Sequence, residues 1–216
     1  MNFLVNALFF FFYSIPFLFF MTPIVHAASP DQNDSKKIAQ IITSAITIRS
    51  LAPEDWKEFR NLRLKALQEN PIAYGIAVTD ESNRSDGEWK SICHDAYEGK
   101  GRWYFIAEYK NQLVGMIGAD EHSGSYMSHL AEIVAAYVNP DFRRSGVMKQ
   151  LFHALKNRLL ETPHIEQLIA WVTLHDNQTG RYVFEHLGFE YRGKLSRCVK
   201  YDGRYYDCCW LEAFLR

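Results

Sequence analysis

The sequence predicts an α/β chain of the α+β kind, with one mixed sheet carrying helices on both faces. Three observations predict it. From Ile46 to Leu215, strand-like and helix-like patterns follow the order β-α-α-β-β-β-α-β-α-β-β. The strand-like runs are rich in β-branched and aromatic residues and are bounded by turn residues. The 216 residues are 48% hydrophobic and 15% aromatic, which suits about one domain with a sizeable core and excludes a disordered chain.

Each element has its own local reason. Ile46–Arg49 is a short β-branched strand. Pro53 sits where a helix can begin, and Trp56, Phe59, Leu62, Leu64 and Leu67 keep a mostly apolar face near helical spacing, so Pro53–Asn70 is helical until Asn70-Pro71 ends it. Ser85-x-x-Glu88 has the form of a capping box and opens a second helix, Ser85–Tyr97. Trp103–Ala107 and Leu113–Ala119 are two arms of a hairpin turning at Lys110-Asn111-Gln112, and Ser128–Val138 is a longer strand. Gly146–Leu160 is a helix with Val147, Leu151, Leu155 and Leu159 on one face. Gln167–Val172 is a strand and Asn177–Leu187 a helix. Tyr191–Val199 and Arg204–Leu215 form a last hairpin about Asp202-Gly203.

Residues 1–30 contain no charged residue, and Leu8 to Phe20 is almost wholly apolar. Residues 1–28 are therefore set apart as a hydrophobic segment, 29–45 as a linker and 46–216 as the folded domain. Three readings of the first segment stay open. The small residues around Ala27 fit a secretory signal, although no basic residue precedes the apolar stretch. Residues 3–25 are about long enough for a membrane anchor, with Lys36 and Lys37 beyond. In the third reading, Met21 is the true start.

The 24 Lys and Arg residues against 25 Asp and Glu give a net charge of −1, so no basic footprint for nucleic acid exists. Cys93, Cys198, Cys208 and Cys209 lack zinc-ligand spacing and are too few and too late for a disulfide scaffold. They are expected to be buried or incidental thiols, and no metal is expected.

Two segments carry chemistry. Tyr137–Met148 reads YVNPDFRRSGVM, a strand end, a turn with two arginines and a helix starting at glycine. The unpaired N–H groups and positive dipole end of such a terminus suit a pyrophosphate. Asn177-x-x-Gly180-x-x-x-Phe184-x-x-x-Gly188-Phe189 follows about thirty residues later. In it Gly188 supplies a left-handed helix end and Phe189 returns to the core.

Together, and in this element order, the two segments resemble the GNAT superfamily of acetyl-CoA-dependent N-acetyltransferases over about Ile46 to Leu215. The first is similar to the family's Q/R-x-x-G-x-G/A motif, the second to its N-x-x-A-x-x-L-Y-x-x-x-G-F motif. The resemblance implies a mostly antiparallel sheet in which two parallel strands, 128–138 and 167–172, splay apart around acetyl-CoA. It implies pantetheine contacts with the backbone of Tyr137 and Val138. It also implies pyrophosphate contacts along Arg143, Arg144, Ser145, Gly146, Val147 and Met148, and Asn177 and Phe184 on the opposite wall. The acceptor is expected to be a primary amine, of a small molecule or a protein. Because such an amine is protonated at neutral pH, a base is needed, and Glu132 is the candidate.

Two departures stand out. Met148 replaces a small residue, and Phe184 falls where the family has a tyrosine that reprotonates the thiolate, while Tyr182 lies about 200° round the helix. These departures motivate an alternative, a catalytically silent acetyl-CoA-binding domain. His129 and His175 lie near the proposed cleft and are read as structural or exposed. Asp80, Glu81, Asp86 and Glu88 either attract a cationic amine or form a solvated helix start. The need for acetyl-CoA favours a cytoplasmic domain or one on the cytoplasmic face of a membrane. Export is the alternative if residues 1–27 are a cleaved signal.

Overall fold

The computed structural model describes residues 45–174 and 179–216. Residues 1–44, which include the apolar segment and nearly all of the linker, and His175–Gln178, which include Asn177, lie outside the described residues. No helix among the described residues is long and apolar enough to cross a membrane.

The strands are β1 (Thr47–Ser50), β2 (Arg102–Tyr109), β3 (Gln112–Glu121), β4 (Leu130–Val138), β5 (Gln167–Leu174), β6 (Glu190–Tyr201) and β7 (Arg204–Phe214). The helices are α1 (Trp56–Glu69), α2 (Val78–Ser82), α3 (Asp86–Glu98), α4 (Val147–Leu160) and α5 (Thr179–His186). The sheet runs β1-β2-β3-β4-β5-β7-β6, and among the described residues only the β4–β5 pair is parallel. This is the mixed, mostly antiparallel sheet that was expected, with one short helix, α2, that the sequence periodicity does not announce.

Local chemistry accounts for the turns and caps. Lys110 and Asn111 both take positive φ, 49° and 61°, which gives the β2–β3 hairpin a two-residue turn of the hand that matches strand twist. Ser85 Oγ accepts the Glu88 N–H while Glu88 Oε2 accepts the Ser85 N–H at 2.8 Å, so the expected capping box starts α3. Gly188 ends α5 at φ 92°, and the buried Phe189 sends its N–H back to Phe184 O at 3.0 Å.

Two cores lie on opposite faces of the sheet. The larger is built by the apolar face of α4 (Val147, Leu151, Phe152, Leu155, Leu159), α5 through Phe184, and the inward residues of every strand but β6. The smaller sits under α1 and α3, where Phe59 meets the rings of Trp89 and Tyr104 edge-on at 6.0 and 5.5 Å.

One expectation is corrected. Cys198 and Cys208 are not separate thiols; they form a disulfide across the β6–β7 hairpin, with Cα atoms 5.8 Å apart. The pairing register slips between Leu195 and Val199, and Arg197 within that bulge has φ 59°, so an irregularity in tertiary register brings the two sulfurs together. Cys93 and Cys209 are free and buried, as expected.

Candidate functional site

The site begins with a short pairing. β4 and β5 match only at Leu130–Gln167, Ala131–Leu168 and Glu132–Ile169. Past Glu132 the two strands stop pairing, while β5 goes on to pair with β7 as far as Leu174–Asp207. A bulge on β4 accompanies the parting. Met116 faces Tyr137 and Gly118 faces Val134, so Ala135 and Ala136 oppose the single residue Ile117, and Ala135 takes φ 54°. The loop after α1 reaches both strands across the gap. Tyr74 Oη donates to Ala136 O at 3.2 Å, and Thr173 Oγ1 donates to Ile72 O at 2.8 Å.

Glu132 sits at the last paired rung. Its side chain is 37% exposed, and the His122 Nε2 atom is 3.9 Å from Oε2, beyond hydrogen-bond length. Burial pushes its carboxyl above the ordinary range, His122 pulls it down and Asp120 pushes it up again. Register explains the Asp120 effect. Arg102, Asp120, Glu132, Ile169 and Glu212 form one row across β2, β3, β4, β5 and β7, so two carboxylates stand directly opposite on neighbouring strands. Burial also raises Asp120, offset in part by Arg102, 3.9 Å from Oδ2, and by Tyr104; its buried Oδ1 atom has no hydrogen-bond partner among the described residues. An open cavity of about 580 Å³ adjoins the row, lined in part by Arg102, Asp120 and His122.

The predicted phosphate segment has the expected form. After a 3-10 turn at Pro140–Phe142, the chain reaches Gly146 at φ 87°, which caps α4, and open space surrounds the position a Cβ would occupy there. The first intrahelical bond runs from Gln150 N–H to Gly146 O, so the N–H groups of the first turn precede the helical ladder. Arg144 is exposed at φ 61°, and Ser145 Oγ donates to Phe142 O at 2.6 Å. An anionic phosphate fits this set: an open glycine, a positive dipole end and an exposed arginine.

Other predicted residues are more committed to structure. Arg143 turns back, donating Nε to Val138 O at 2.9 Å, with its Nη2 3.9 Å from Glu69. Tyr137 is buried and donates its hydroxyl to Glu69 Oε2 at 2.8 Å. The Val147 side chain is in the core, so only its backbone can face a ligand. Met148 is partly buried against the same core, which removes the crowding its size suggests. Phe184 is buried against Phe189 at 5.2 Å. Gly180 brings α5 close to β5, since a Cβ there would stand 2.9 Å from Val172 Cγ1. His129 binds through its backbone, its carbonyl accepting the Glu166 and Gln167 N–H groups, and Tyr182 is exposed and stacked on His186.

The acidic approach to α3 is spent locally. Asp80 accepts the Ala77 N–H, Asp86 pairs with Arg60, Glu88 serves the cap, and Glu81 is buried between Arg84 at 3.1 Å and Arg63 at 3.6 Å. The carboxylates on the site are instead Asp120 and Glu132. Asp120, Tyr74 and Arg63, whose buried Nη1 atom lacks a partner, were not singled out in the sequence. For Asp120 the signal was available in the hairpin pattern, but using it requires the β3–β4 register.

The sequence profile described as the Acetyltransferase (GNAT) family matches residues 56–189. Among solved structures, an acetyltransferase of the GNAT family from Streptococcus pneumoniae superposes with a TM-score of 0.69 at 14% identity, covering 78% of this chain and 98% of its own. A ribosomal-protein-alanine N-acetyltransferase from Brucella melitensis gives 0.66 at 18% identity, with 78% and 99% covered. A phosphinothricin acetyltransferase from Sinorhizobium meliloti, in complex with acetyl-CoA, gives 0.66 at 20% identity, with 79% and 88% covered. No curated protein matches the chain significantly by sequence.

Proposed function

The chain belongs to the GNAT acetyltransferase family, and from that premise we propose that it moves an acetyl group from acetyl-CoA to a primary amine by direct attack in a ternary complex. The observation that carries this reading is the position of Glu132, a half-buried carboxyl with a raised pKa at the rung where β4 and β5 part.

In this reading Gly146, Arg144 and the first turn of α4 hold the pyrophosphate, and the backbone at Tyr137 and Val138 guides the pantetheine arm. Asn177 is assigned to the opposite wall by the family resemblance alone. Glu132 takes a proton from the ammonium, directly or through a water. The freed nitrogen lone pair attacks the thioester carbonyl, and a backbone N–H near Val138 stabilises the oxyanion. The C–S bond then breaks, the thiolate leaves with the bonding pair, and the nitrogen gives up its second proton to water. Phe184 has no proton to give. Water supplies it, or Tyr74, whose burial raises its pKa to about 12 and keeps it protonated at neutral pH. The family relationship supports acetyl transfer in general, and the acetyl-CoA complex of the Sinorhizobium meliloti enzyme supports the co-substrate.

The test is thiol release from acetyl-CoA by the full chain with a panel of amines, beside calorimetric binding of acetyl-CoA. Glu132→Gln is expected to keep acetyl-CoA binding and to lower kcat by about 10²–10⁴. Because the base acts as carboxylate, wild-type rates should fall as pH drops through a pKa above the ordinary ~4.3, and that acid limb should vanish in Glu132→Gln. Binding without transfer to any amine, in the wild type, would instead establish the silent acetyl-CoA-binding domain, the reading favoured by the buried Phe184.

Placement follows from the co-substrate. Acetyl-CoA is held inside cells, so the proposed site of action is the cytoplasm or the cytoplasmic face of a membrane. The Cys198–Cys208 disulfide favours the exported alternative, since such bonds persist in oxidising compartments. A mature N-terminus near Ser29 would decide for export.

A further inference from the structure

Beside the carboxylate row lies a second row on the same face of the sheet. Trp171 on β5 is paired with Trp210 on β7, and Trp210 with Gly193 on β6. The two indoles are tilted at 49° with centroids 5.7 Å apart, and each is 42% exposed. Trp171 stands two residues beyond Ile169, the partner of Glu132, so the Cα atoms of Glu132 and Trp171 are about 8 Å apart from strand spacing and rise. Exposed tryptophans in contact are an unusual expense on a sheet face, because each leaves large apolar area in water. Trp171 thus neighbours a half-buried carboxylate, and a second one, Asp120, lies one strand farther off. On this face the other charges near them have partners: Glu212 accepts from Gln167 and Arg192, and Arg102 stands 3.9 Å from Asp120. The negative charge left over is that of Glu132, which faces only His122 at 3.9 Å among the described residues.

We propose that Trp171 and Trp210 form the acceptor platform, and that the acceptor is a primary amine carried on an aromatic ring. The ring lies on the indoles while its short arm places the ammonium at Glu132. This deepens the acetyl-transfer reading and rests on it. The spacing suits a ring separated from nitrogen by about two carbons, which spans the gap from indole to carboxylate. An aliphatic amine of the same charge satisfies the carboxylate and leaves the platform wet.

The experiment compares 2-phenylethylamine with n-butylamine on the full chain, by acetyl-transfer kinetics and, separately, by calorimetric binding. The wild type should prefer the ring-bearing amine by at least about fivefold in kcat/KM and in Kd, as stacking on tryptophan implies. Trp171→Leu should bring both ratios near one, chiefly through KM; Trp210→Leu repeats the test should the first variant fail to fold. Equal handling of the two amines by the wild type overturns the platform while leaving acetyl transfer standing. Where neither amine is acetylated while acetyl-CoA still binds, calorimetry judges the platform alone: tighter ring binding lost in Trp171→Leu supports it, and equal or no binding overturns it. If Trp171→Leu instead dissociates an oligomer and keeps the amine preference, the tryptophans are an interface between copies and the proposal falls.

Discussion

The same face of one sheet is treated in two ways. Over β2, β3 and β4 it is roofed by α1 and α3, and Phe59, Leu62, Trp89, Tyr104, Ile106 and Met116 are buried there. Over β5, β7 and β6 that face keeps Trp171, Trp210 and Phe214 substantially exposed, and α1 and α3 make their strand contacts with β2 and β3 instead. The boundary falls where β4 leaves β5, at Glu132. The difference teaches that the roofed half is built for stability and the open half for access. A half-buried carboxylate belongs at their border, where enough apolar surface raises its pKa while solvent and substrate still reach it.

The strongest way to break this comparison is to empty the roofed half. Phe59 is 2% exposed and joins Trp89 and Tyr104 in one aromatic cluster. Phe59→Ala should cost about 3–5 kcal/mol of unfolding free energy, through lost transfer energy and an unfilled cavity. Trp210→Leu, a change of comparable bulk on the open half, should cost about 1 kcal/mol or less, the worth of one exposed cross-strand aromatic pair. Urea unfolding of both variants reads the contrast. Equal losses would mean that the open half is covered in solution.

A smaller effect sharpens the point within one row. Tyr104 pairs with Gly118, and a Cβ at residue 118 would stand 2.7 Å from the tyrosine ring. The ring lies flat over the glycine and is pinned from above by Phe59. Gly118→Ala should therefore destabilise the protein by about 1–3 kcal/mol, since ring and helix cannot both retreat. Its near-ultraviolet circular dichroism should change with the tyrosine environment. A neutral substitution would show that the roof is looser than its burial implies.

Legibility in the sequence followed the same border. The order of elements, the α3 capping box, the Gly146 start of α4 and the Gly188 exit of α5 rest on local patterns, and each lies where those patterns indicate. The β4 bulge, the opposition of Asp120 to Glu132 and the Cys198–Cys208 bond depend on register between strands, which no single segment encodes. The Trp171–Trp210 contact was hidden for a further reason. β5 pairs with β7 and not with its successor in sequence, so the two indoles meet through a crossover. The acidic run before α3 was visible, and caps and arginines consume it, in keeping with the helix start and not with an amine site.

The mildest test is the counterpart of Gly118 across the border. Gly193 lies beside Trp210 as Gly118 lies beside Tyr104, but its added Cβ would meet Trp210 Nε1 at 3.6 Å, an ordinary contact. That indole is partly exposed, with Trp171 its ring partner among the described residues, so it can shift by a fraction of an ångström. The position does not have the positive φ that would strain a side chain. Gly193→Ala should then leave stability unchanged or raise it by up to about 1 kcal/mol, because alanine restricts the unfolded chain more than glycine does. The sign is the informative part. A gain at Gly193 with a loss at Gly118, measured in the same denaturant series, would show that a ring over a glycine is tightly fitted only where a helix covers it. A loss at both would mean that Trp210 is clamped by something the open face does not display, and the platform would have no freedom to accept a ligand.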